Sequence, residues 1–315
     1  MQNKTNKSDT KKQHTLPRFY LERFADVKGQ LSVYDKVKGK SFRANVKDVA
    51  QQRRFYDISP EAFGLDADAT YDPQFVEHTL AEHEAVLSKS LKEFLENAKE
   101  GEEIDWEHRF ALAYFMGLQM VRTPFARSKI HEIQNRAIEH LVQSEGPNMV
   151  APGSPIYNQL HVPEYDWARI QAQVMLDPMA SAQLMAPLVQ RVWCIGVNKT
   201  GRPLYTSDNP VVMYKEEPQP GMGYGLASAG VEVALPLSPE IVLMLADGKM
   251  YPALLAYEGK RLTLNEDNVT FYNWLQVSRS ERQVYCSTSD FALAEKLCRE
   301  RPHLRDPKRQ QVWVN

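Results

Sequence analysis

The segment Val192-Trp193-Cys194-Ile195-Gly196-Val197 marks where the pattern of this sequence changes from helical to extended. Bulky side chains stand at every second position, which is the period of a β-strand that turns one face to a core. Further extended runs follow in the rest of the chain, at 204–206, 231–237, 241–245 and 284–286. We therefore predict a mostly antiparallel sheet in the C-terminal half.

The residues before this segment have the pattern of helices. An apolar stripe predicts a long helix over about 73–99. A second helix is expected to start after an N-cap at Asp105 and to end or kink at Pro124, which lacks an amide hydrogen. Further helices are predicted over 130–141 and over 164–190, the last one broken near its prolines.

Smaller elements are predicted near the N-terminus. A short helix is expected to begin at Pro17, since proline suits the first turn of a helix. The runs 31–34 and 41–43 flank a turn that contains Gly39, which is the pattern of a β-hairpin. A short basic helix is expected to end at Arg53-Arg54. The predicted fold class is α+β, with a helical N-terminal half and a small β-hairpin packed on a mostly antiparallel sheet in the C-terminal half.

The composition of the chain changes at two places that bear on its domain organisation. Residues 1–12 are polar and charged without an aromatic residue, so they predict a disordered tail, with a basic arm on nucleic acid as the alternative. Residues 145–163 are rich in Pro, Gly, Asn and Ser and predict a loop. We expect a single domain over 13–315, which this loop would subdivide into a helical part, 13–145, and a sheet-containing part, 164–302.

Charge, cysteine count and hydropathy restrict the class of protein. The 315 residues carry a formal net charge of -2, so no global field draws the chain to nucleic acid or to an anionic membrane. Three cysteines without a CxxC pair argue against a disulfide framework or a cysteine zinc site. No apolar run approaches the ~20 residues that span a bilayer, and the N-terminus lacks the pattern of a signal peptide. We expect a soluble, cytoplasmic protein without a membrane or disulfide partner.

Two short motifs place reactive groups next to proline and apolar anchors. The first is Gln13-His14-Thr15-Leu16-Pro17-Arg18-Phe19-Tyr20-Leu21. The second is Tyr205-Thr206-Ser207-Asp208-Asn209-Pro210-Val211-Val212. This combination is typical of polar atoms held in fixed directions at the edge of a core. Because the motifs lie in opposite halves of the chain, we expect the N-terminal segment to fold onto the sheet of the second half.

With both motifs in view, the chain resembles the DUF4238 family of uncharacterised proteins. Its opening is similar to the family pattern Gln-His-x-x-Pro-x-x-Tyr-Leu-x-x-Phe, and TSDNPVV and Arg122-Thr123-Pro124 are similar to further family motifs. The resemblance runs from about residue 13 to residue 290. It implies which residues matter, and it implies no established activity or cofactor.

His14, Asp208 and Asn209 are the candidate catalytic residues. Imidazole titrates near neutral pH and ligates metals, so His14 is a candidate general base or ligand. Asp208 and Asn209 stand where a strand ends, and the proline after Asn209 holds its backbone extended. Asp208 and His14 also have structural explanations. The Asp208 carboxylate is then the cap of the turn, and the His14 ring is hydrogen-bonded to the backbone.

Arg18, Arg122 and Ser207 are the candidate binding residues. A guanidinium group binds phosphate or carboxylate through two parallel hydrogen bonds. Arg18 would lie near His14 if a helix begins between them. Arg122 stands at the end of an apolar helix, where the helix dipole also favours a cation, so it has a structural explanation as well.

Glu77 and Glu84 are candidate metal ligands together with Asp208. The two glutamates lie seven residues apart, within ~20° of each other on one helix face. They are also about 10 Å apart along the axis, so one ion would need a third group between them. A divalent cation such as Mg²⁺ or Mn²⁺ suits such a carboxylate set. The structural alternative is an ion pair between each glutamate and an arginine of a neighbouring helix.

The leading functional hypothesis is a metal-assisted hydrolase that acts on a phosphodiester, a nuclease-like effector with a phosphate-containing substrate or nucleic acid as partner. A metal lowers the pKa of bound water, and arginines offset phosphate charge. The alternative is a non-catalytic sensing or protein-interaction module, in which the same polar residues join the helical half to the sheet. A third possibility is ligand binding without chemistry. Convergence in an open pocket favours the enzyme, and burial with paired partners favours the module.

Overall fold

The computed structural model describes residues 10–63, 71–101, 104–145, 166–216 and 224–307. Within these ranges the helices are α1 Arg18–Leu21, α2 Phe75–Glu100, α3 Trp106–Arg122, α4 Pro124–Glu145, α5 Asp166–Leu176, α6 Pro178–Val189, α7 Glu266–Arg279 and α8 Ala292–Glu300. The strands are β1 Lys12–His14, β2 Gln30–Asp35, β3 Lys40–Asn45, β4 Gln51–Arg53, β5 Val192–Asn198, β6 Thr206–Ser207, β7 Val212–Lys215, β8 Val231–Ser238, β9 Ile241–Ala246, β10 Arg261–Leu264 and β11 Gln283–Cys286. Most of the helical residues precede β5 and most of the strands follow it, so the α+β prediction is confirmed.

The larger sheet has the strand order β10-β5-β9-β8-β7. Neighbouring strands run antiparallel except for β10, which pairs parallel with β5. The predicted, mostly antiparallel sheet is therefore confirmed. The parallel strand β10 was not predicted, since its four residues are too few to show an alternating pattern.

Both faces of the larger sheet are buried, which explains why β5 has few polar residues. Trp193 and Ile195 are fully buried in the main core, together with the apolar stripe of α2. Val192 and Cys194 point the other way and pack with residues of α7, including Val269 and Leu275. A sheet covered on both sides by helices needs apolar side chains at successive positions.

The smaller sheet joins the two ends of the chain and has the order β3-β2-β11-β6. The predicted hairpin forms its edge, with β2 paired antiparallel to β3. Strand β11 lies beside β2 and also pairs with β6, so that Val284 is opposite both Tyr34 and Ser207. This pairing brings the N-terminal region next to the second motif.

The helix ends follow the expected capping residues. The Asp105 carboxylate accepts the His108 amide hydrogen at 2.8 Å, as an N-cap does. Helix α3 ends before the extended Thr123, and α4 begins at Pro124. A break also occurs before Pro178, which starts α6. The break expected near Pro187 is wrong, because this proline lies inside α6.

Two local predictions near the motifs are corrected. The residues before Arg54 form strand β4 and not the end of a basic helix, because they pair antiparallel with β1. His14 stands opposite Gln51 in this two-stranded sheet. The strand predicted over 204–206 is shorter and lies later in the chain. It consists of two residues, Thr206 and Ser207.

Residues 1–9 of the predicted tail, 146–163 of the predicted loop and 164–165 of the helix predicted after it lie outside the described residues. Of the predicted tail, residues 10–12 are described. The Thr10 amide donates to Gln74, and the Gln74 side chain donates back to the Thr10 carbonyl. Among the described helices none combines the length and the apolar character that a membrane crossing requires. The three cysteines, Cys194, Cys286 and Cys298, are buried free thiols.

Candidate functional site

Tyr20 connects the first motif to the strand that carries the second. Helix α1 begins after Pro17 and turns this side chain inward, where it is fully buried. Its hydroxyl oxygen lies 2.6 Å from Thr206 Oγ1 and donates to the Pro236 carbonyl at 2.7 Å. The N-terminal segment therefore packs on the sheet of the second half, as the two motifs led us to expect.

Gln13 fixes the start of the motif to the segment that follows β4. Its side chain is fully buried, and its oxygen accepts the Tyr56 amide hydrogen at 2.6 Å. Its amide nitrogen donates to the Asp57 carboxylate. Both polar atoms of Gln13 are thus satisfied, which a buried amide requires.

Arg122 is buried at the end of α3 with its guanidinium group among protein acceptors. It donates to Glu84 Oε1 and to the His14 carbonyl oxygen, both at 2.8 Å, and its Nε lies 3.4 Å from the Tyr56 hydroxyl. Burial alone would lower the pKa of Arg122, but Tyr56 and Glu84 outweigh it and hold the pKa above its ordinary range. With 1% of its surface exposed, Arg122 joins three parts of the fold and offers little surface to a ligand.

His14 differs from its neighbours because one ring nitrogen is unused. Nε2 is buried and has no hydrogen-bond partner among the described residues. Burial lowers the pKa of His14 below its usual 6.5, and the nearby cations Arg18 and Arg122 lower it further, while Glu84 and a Lys47 backbone hydrogen bond oppose them. The ring is therefore neutral at physiological pH, and its free Nε2 suits a proton acceptor.

Glu77 lies on α2 two turns before Glu84. Burial raises the pKa of Glu77 to about 7, with Arg122 lowering it and the charge of Glu84 raising it. Glu84 is half-buried and forms the ion pair with Arg122. His14 and Glu77 both interact with the Arg122–Glu84 pair, and the pKa of Glu77, about 7, is close enough to neutral pH for proton transfer.

Arg18 stands at the exposed side of this group. Its side chain is exposed, and it contributes to the electrostatics of His14. Within the described ranges no ion pair engages its guanidinium group, whereas Arg122 is fully engaged. Of the two arginines predicted to bind anions, Arg18 is the accessible one.

The Asp208 carboxylate is held by the backbone that leads into β11. Its Oδ1 accepts the Glu281 amide hydrogen at 2.8 Å, and its Oδ2 accepts those of Arg282 and Gln283, each at 2.7 Å. Burial raises the pKa of Asp208, and these three amides lower it in turn. A carboxylate that accepts three amide hydrogens anchors a turn, which was the structural explanation for this residue.

The neighbours of Asp208 are engaged in the same way with α7. The Ser207 hydroxyl donates to Gln276 Oε1 at 2.7 Å, and Gln276 Nε2 donates to the Pro210 carbonyl at 2.9 Å. Asn209 donates through its side chain to the Arg279 carbonyl at 3.1 Å. The second motif therefore fastens the end of β6 to α7.

Replacing Asp208 by Asn is expected to lower the free energy of unfolding by about 1–3 kcal/mol, because the new amide nitrogen would face a backbone N–H. Denaturant unfolding with EDTA and with Mg²⁺ measures the effect. Asp267→Asn, at an exposed carboxylate of α7, is the control and should change little. A mutant as stable as the wild type, with a wild-type Tm that rises in Mg²⁺, would support the metal-ligand role and contradict the anchor role.

An open cleft of about 520 Å³ lies between the two motifs. Thr15 lines it from the first motif and Asp208 from the second, with Lys38 and Arg282 nearby. Gln51 also lines it, and its side-chain oxygen is buried without a hydrogen-bond partner in the described part of the chain. The motifs thus meet at a cleft, although His14, Glu77 and Arg122 do not line it.

The predicted site residues therefore fall into two groups. The first group lies at the end of β1 and on the helices that face it, and it consists of His14, Arg18, Glu77, Glu84 and Arg122. Ser207, Asp208 and Asn209 form the turn against α7 and β11. In the described ranges no three His, Cys, Asp or Glu side chains are grouped so as to hold a metal ion. The set of Glu77, Glu84 and Asp208 is accordingly not assembled as a set of ligands.

Several residues of these networks were not among the candidates from sequence. Gln13 and Tyr20 stand in the quoted first motif, but a glutamine and a tyrosine carry no specific chemical signal. Tyr56 likewise carries no specific chemical signal in the sequence, and Gln276 lies within a segment that has the pattern of a helix. Their common feature is a buried polar atom with a distant partner, which a single sequence does not reveal.

The fold and the site define an α+β protein whose polar network joins its N-terminal motif to the larger and to the smaller sheet. The chain belongs to the DUF4238 family, because the model of that family, described as a protein of unknown function, matches residues 12–290. The resemblance found in the sequence is thereby confirmed. No curated protein and no solved structure matches the chain.

Proposed function

We propose that this protein hydrolyses an anionic ester, most directly a phosphodiester, by acid–base catalysis at His14 and Glu77. The observation that carries the proposal is the buried, unpartnered Nε2 of a neutral His14, together with the Glu77 carboxyl group, whose pKa is about 7 and which interacts with the same Arg122 and Glu84 side chains as His14. Buried polar atoms in native proteins are almost always paired, so an unpaired one calls for an explanation such as a missing ligand.

The two residues have complementary roles in this reaction. Nε2 of His14 takes a proton from a water molecule as the water oxygen bonds to phosphorus. The ester P–O bond then breaks, and protonated Glu77 gives its proton to the leaving oxygen. The products are a phosphate monoester, which keeps the hydroxyl group of the water, and an alcohol. His14 then releases the proton it gained to solvent, and Glu77 takes one up from solvent, which restores both groups. A pair of groups with pKa values near the working pH gives efficient general acid–base catalysis.

Arg18 supplies the anion recognition in this proposal. Its exposed guanidinium group lies near His14 and is suited to bind two oxygens of a phosphoryl group. Arg122 acts behind the site as a positioning residue, since it binds the His14 carbonyl and Glu84. Its charge also favours the neutral form of the His14 ring.

A resident Mg²⁺ or Mn²⁺ does not fit the side chains as they are arranged. Both oxygens of Asp208 accept backbone amide hydrogens, and Glu84 is paired with Arg122. The proposed steps therefore use protein groups alone. We place the reaction in the cytoplasm, because the buried cysteine thiols suit a reducing compartment.

A second candidate function is a non-catalytic sensing or protein-interaction module. The specific observation in its favour is that the side chains of Asp208, Asn209 and Arg122 form hydrogen bonds with groups of the protein itself. On this hypothesis the whole network stabilises the junction of the helical half with the sheets, and His14 belongs to it.

Hydrolysis of bis(p-nitrophenyl) phosphate in the presence of EDTA tests the first candidate. We expect a bell-shaped pH profile with its optimum on the mildly acidic side of neutral. The rate rises as His14 loses its proton, below pH 6.5, and falls as Glu77 loses its own, near pH 7. No hydrolysis by the wild-type chain, or activity that EDTA removes, would contradict the proposal and leave the interaction module.

A further inference from the structure

A cleft of about 670 Å³ lies at one end of the larger sheet, apart from the residues of the proposed reaction. It is formed where β5 begins and β9 ends, with the first turn of α3 on one side. Trp106, Arg191 and Lys249 are among its lining residues. This volume is in the range of small-molecule sites in proteins.

Arg191 provides the first indication of a ligand. The residue is 7% exposed, and its terminal nitrogens donate to the carbonyl oxygens of Leu226 and Val231. Its Nε is buried and has no hydrogen-bond partner among the described residues. A guanidinium held in place by two carbonyls, with a donor left over, is prepared to receive an anionic or carbonyl oxygen.

Trp106 provides an independent indication. Its side chain is 65% exposed, although a large aromatic ring is usually covered in a folded protein. The Arg109 guanidinium lies over the Trp106 ring at 5.1 Å and over the Trp193 ring at 5.3 Å. One face of Trp106 is therefore supported by a rigid cation, and the exposed remainder offers a platform for a planar ring.

The charges in the cleft favour an anion. Arg109 is paired with Glu258, and the Asp247 carboxylate accepts the amide hydrogens of Gly230 and Lys249. The Lys249 ammonium group is exposed, with no ion pair in the described part of the chain. The Asp247 carboxylate keeps its negative charge and interacts with Arg191. The charged lining residues are Arg109, Arg191 and Lys249 against Asp247 and Glu258, so one net positive charge remains in the cleft.

We propose that this cleft binds a nucleoside monophosphate, with the base stacked on Trp106 and the phosphate at Arg191 and Lys249. A nucleotide joins a planar ring to an anion, and both halves have a counterpart in the lining. Base stacking on an exposed aromatic side chain tolerates all four bases, so the site is expected to favour the class over one member.

Isothermal titration calorimetry with the four common ribonucleoside 5′-monophosphates tests the proposal. We expect saturable binding of at least one of them with one site per chain. Binding of the matching nucleoside, which lacks the anion, and of inorganic phosphate, which lacks the ring, should each be at least about tenfold weaker. Absence of saturable binding with all four nucleotides would overturn the proposal.

Single substitutions locate the site. Trp106→Ala should weaken binding at least about tenfold, and Lys249→Ala should weaken it for the nucleotide and leave the nucleoside unaffected. Phe42→Ala is the matched control, because Phe42 is an exposed aromatic residue of β3 that does not line the cleft. Equal binding by the wild type and Trp106→Ala would also overturn the proposal. These variants leave His14 and Glu77 intact, so hydrolysis and nucleotide binding are tested separately.

Discussion

Replacing Arg122 by Met is expected to lower the free energy of unfolding by about 3–5 kcal/mol, the largest stability effect in the polar network. The side chain is 1% exposed and donates to Glu84 and to the His14 carbonyl. Methionine has a similar length, so the loss reflects the unpaired Glu84 carboxylate and the unsatisfied carbonyl more than a cavity. Denaturant unfolding of both proteins at the same pH measures it.

Two further variants separate the ion pair from its surroundings. Arg18→Met removes an exposed guanidinium and should change stability by less than about 0.5 kcal/mol. Adding Glu84→Gln to Arg122→Met should recover part of the loss, because the double variant no longer leaves a half-buried charge unpaired. An Arg122→Met protein as stable as the wild type would show that this residue is not an anchor.

His14→Ala is expected to reduce the hydrolytic rate at the pH optimum by about 10²–10⁴-fold, the usual contribution of a positioned general base. Stability should fall by about 0.5–1.5 kcal/mol, since alanine loses the hydrogen bond between the ring and the Lys47 backbone but keeps the carbonyl that Arg122 binds. Steady-state kinetics in EDTA measures the rate, and a thermal melt confirms folding.

The control for this loss is an exposed histidine far along the chain. His303→Ala should retain the full rate, because His303 is exposed and distant in sequence from the proposed site. Glu77→Gln should lower the rate at the optimum and also remove the fall in rate above pH 7, since glutamine neither supplies the proton nor titrates there. A His14→Ala protein with the wild-type rate would exclude His14 as the base.

The fold was predictable where one segment carries its own periodic pattern. The stripe of α2, the cap at Asp105 and the alternation of β5 each describe a local element, and each is present. The pairing of β11 with both β2 and β6 was not predictable, because register between distant strands depends on packing that no single segment encodes. The same reason explains β4, whose partner β1 decides its conformation.

The arrangement of the candidate site residues was not predictable from the sequence. The first motif and α2 meet, so that Arg122 joins His14 and Glu84. Asp208 carries the same charge as Glu84, but its surroundings give it three backbone amides as partners. A sequence shows which side chains are ionisable, whereas burial and partners decide which of them are free to react.

The titration of the Glu77 carboxyl group tests the acid–base proposal most directly. Carbon-13 NMR of protein labelled at the glutamate carboxyl follows it, and Glu77→Gln identifies the resonance by its disappearance. The proposal requires a midpoint at about pH 7, because burial raises the pKa of this group. A midpoint near the ordinary value of 4.5 would mean that Glu77 is ionised throughout the working range, and it would contradict the proposed acid.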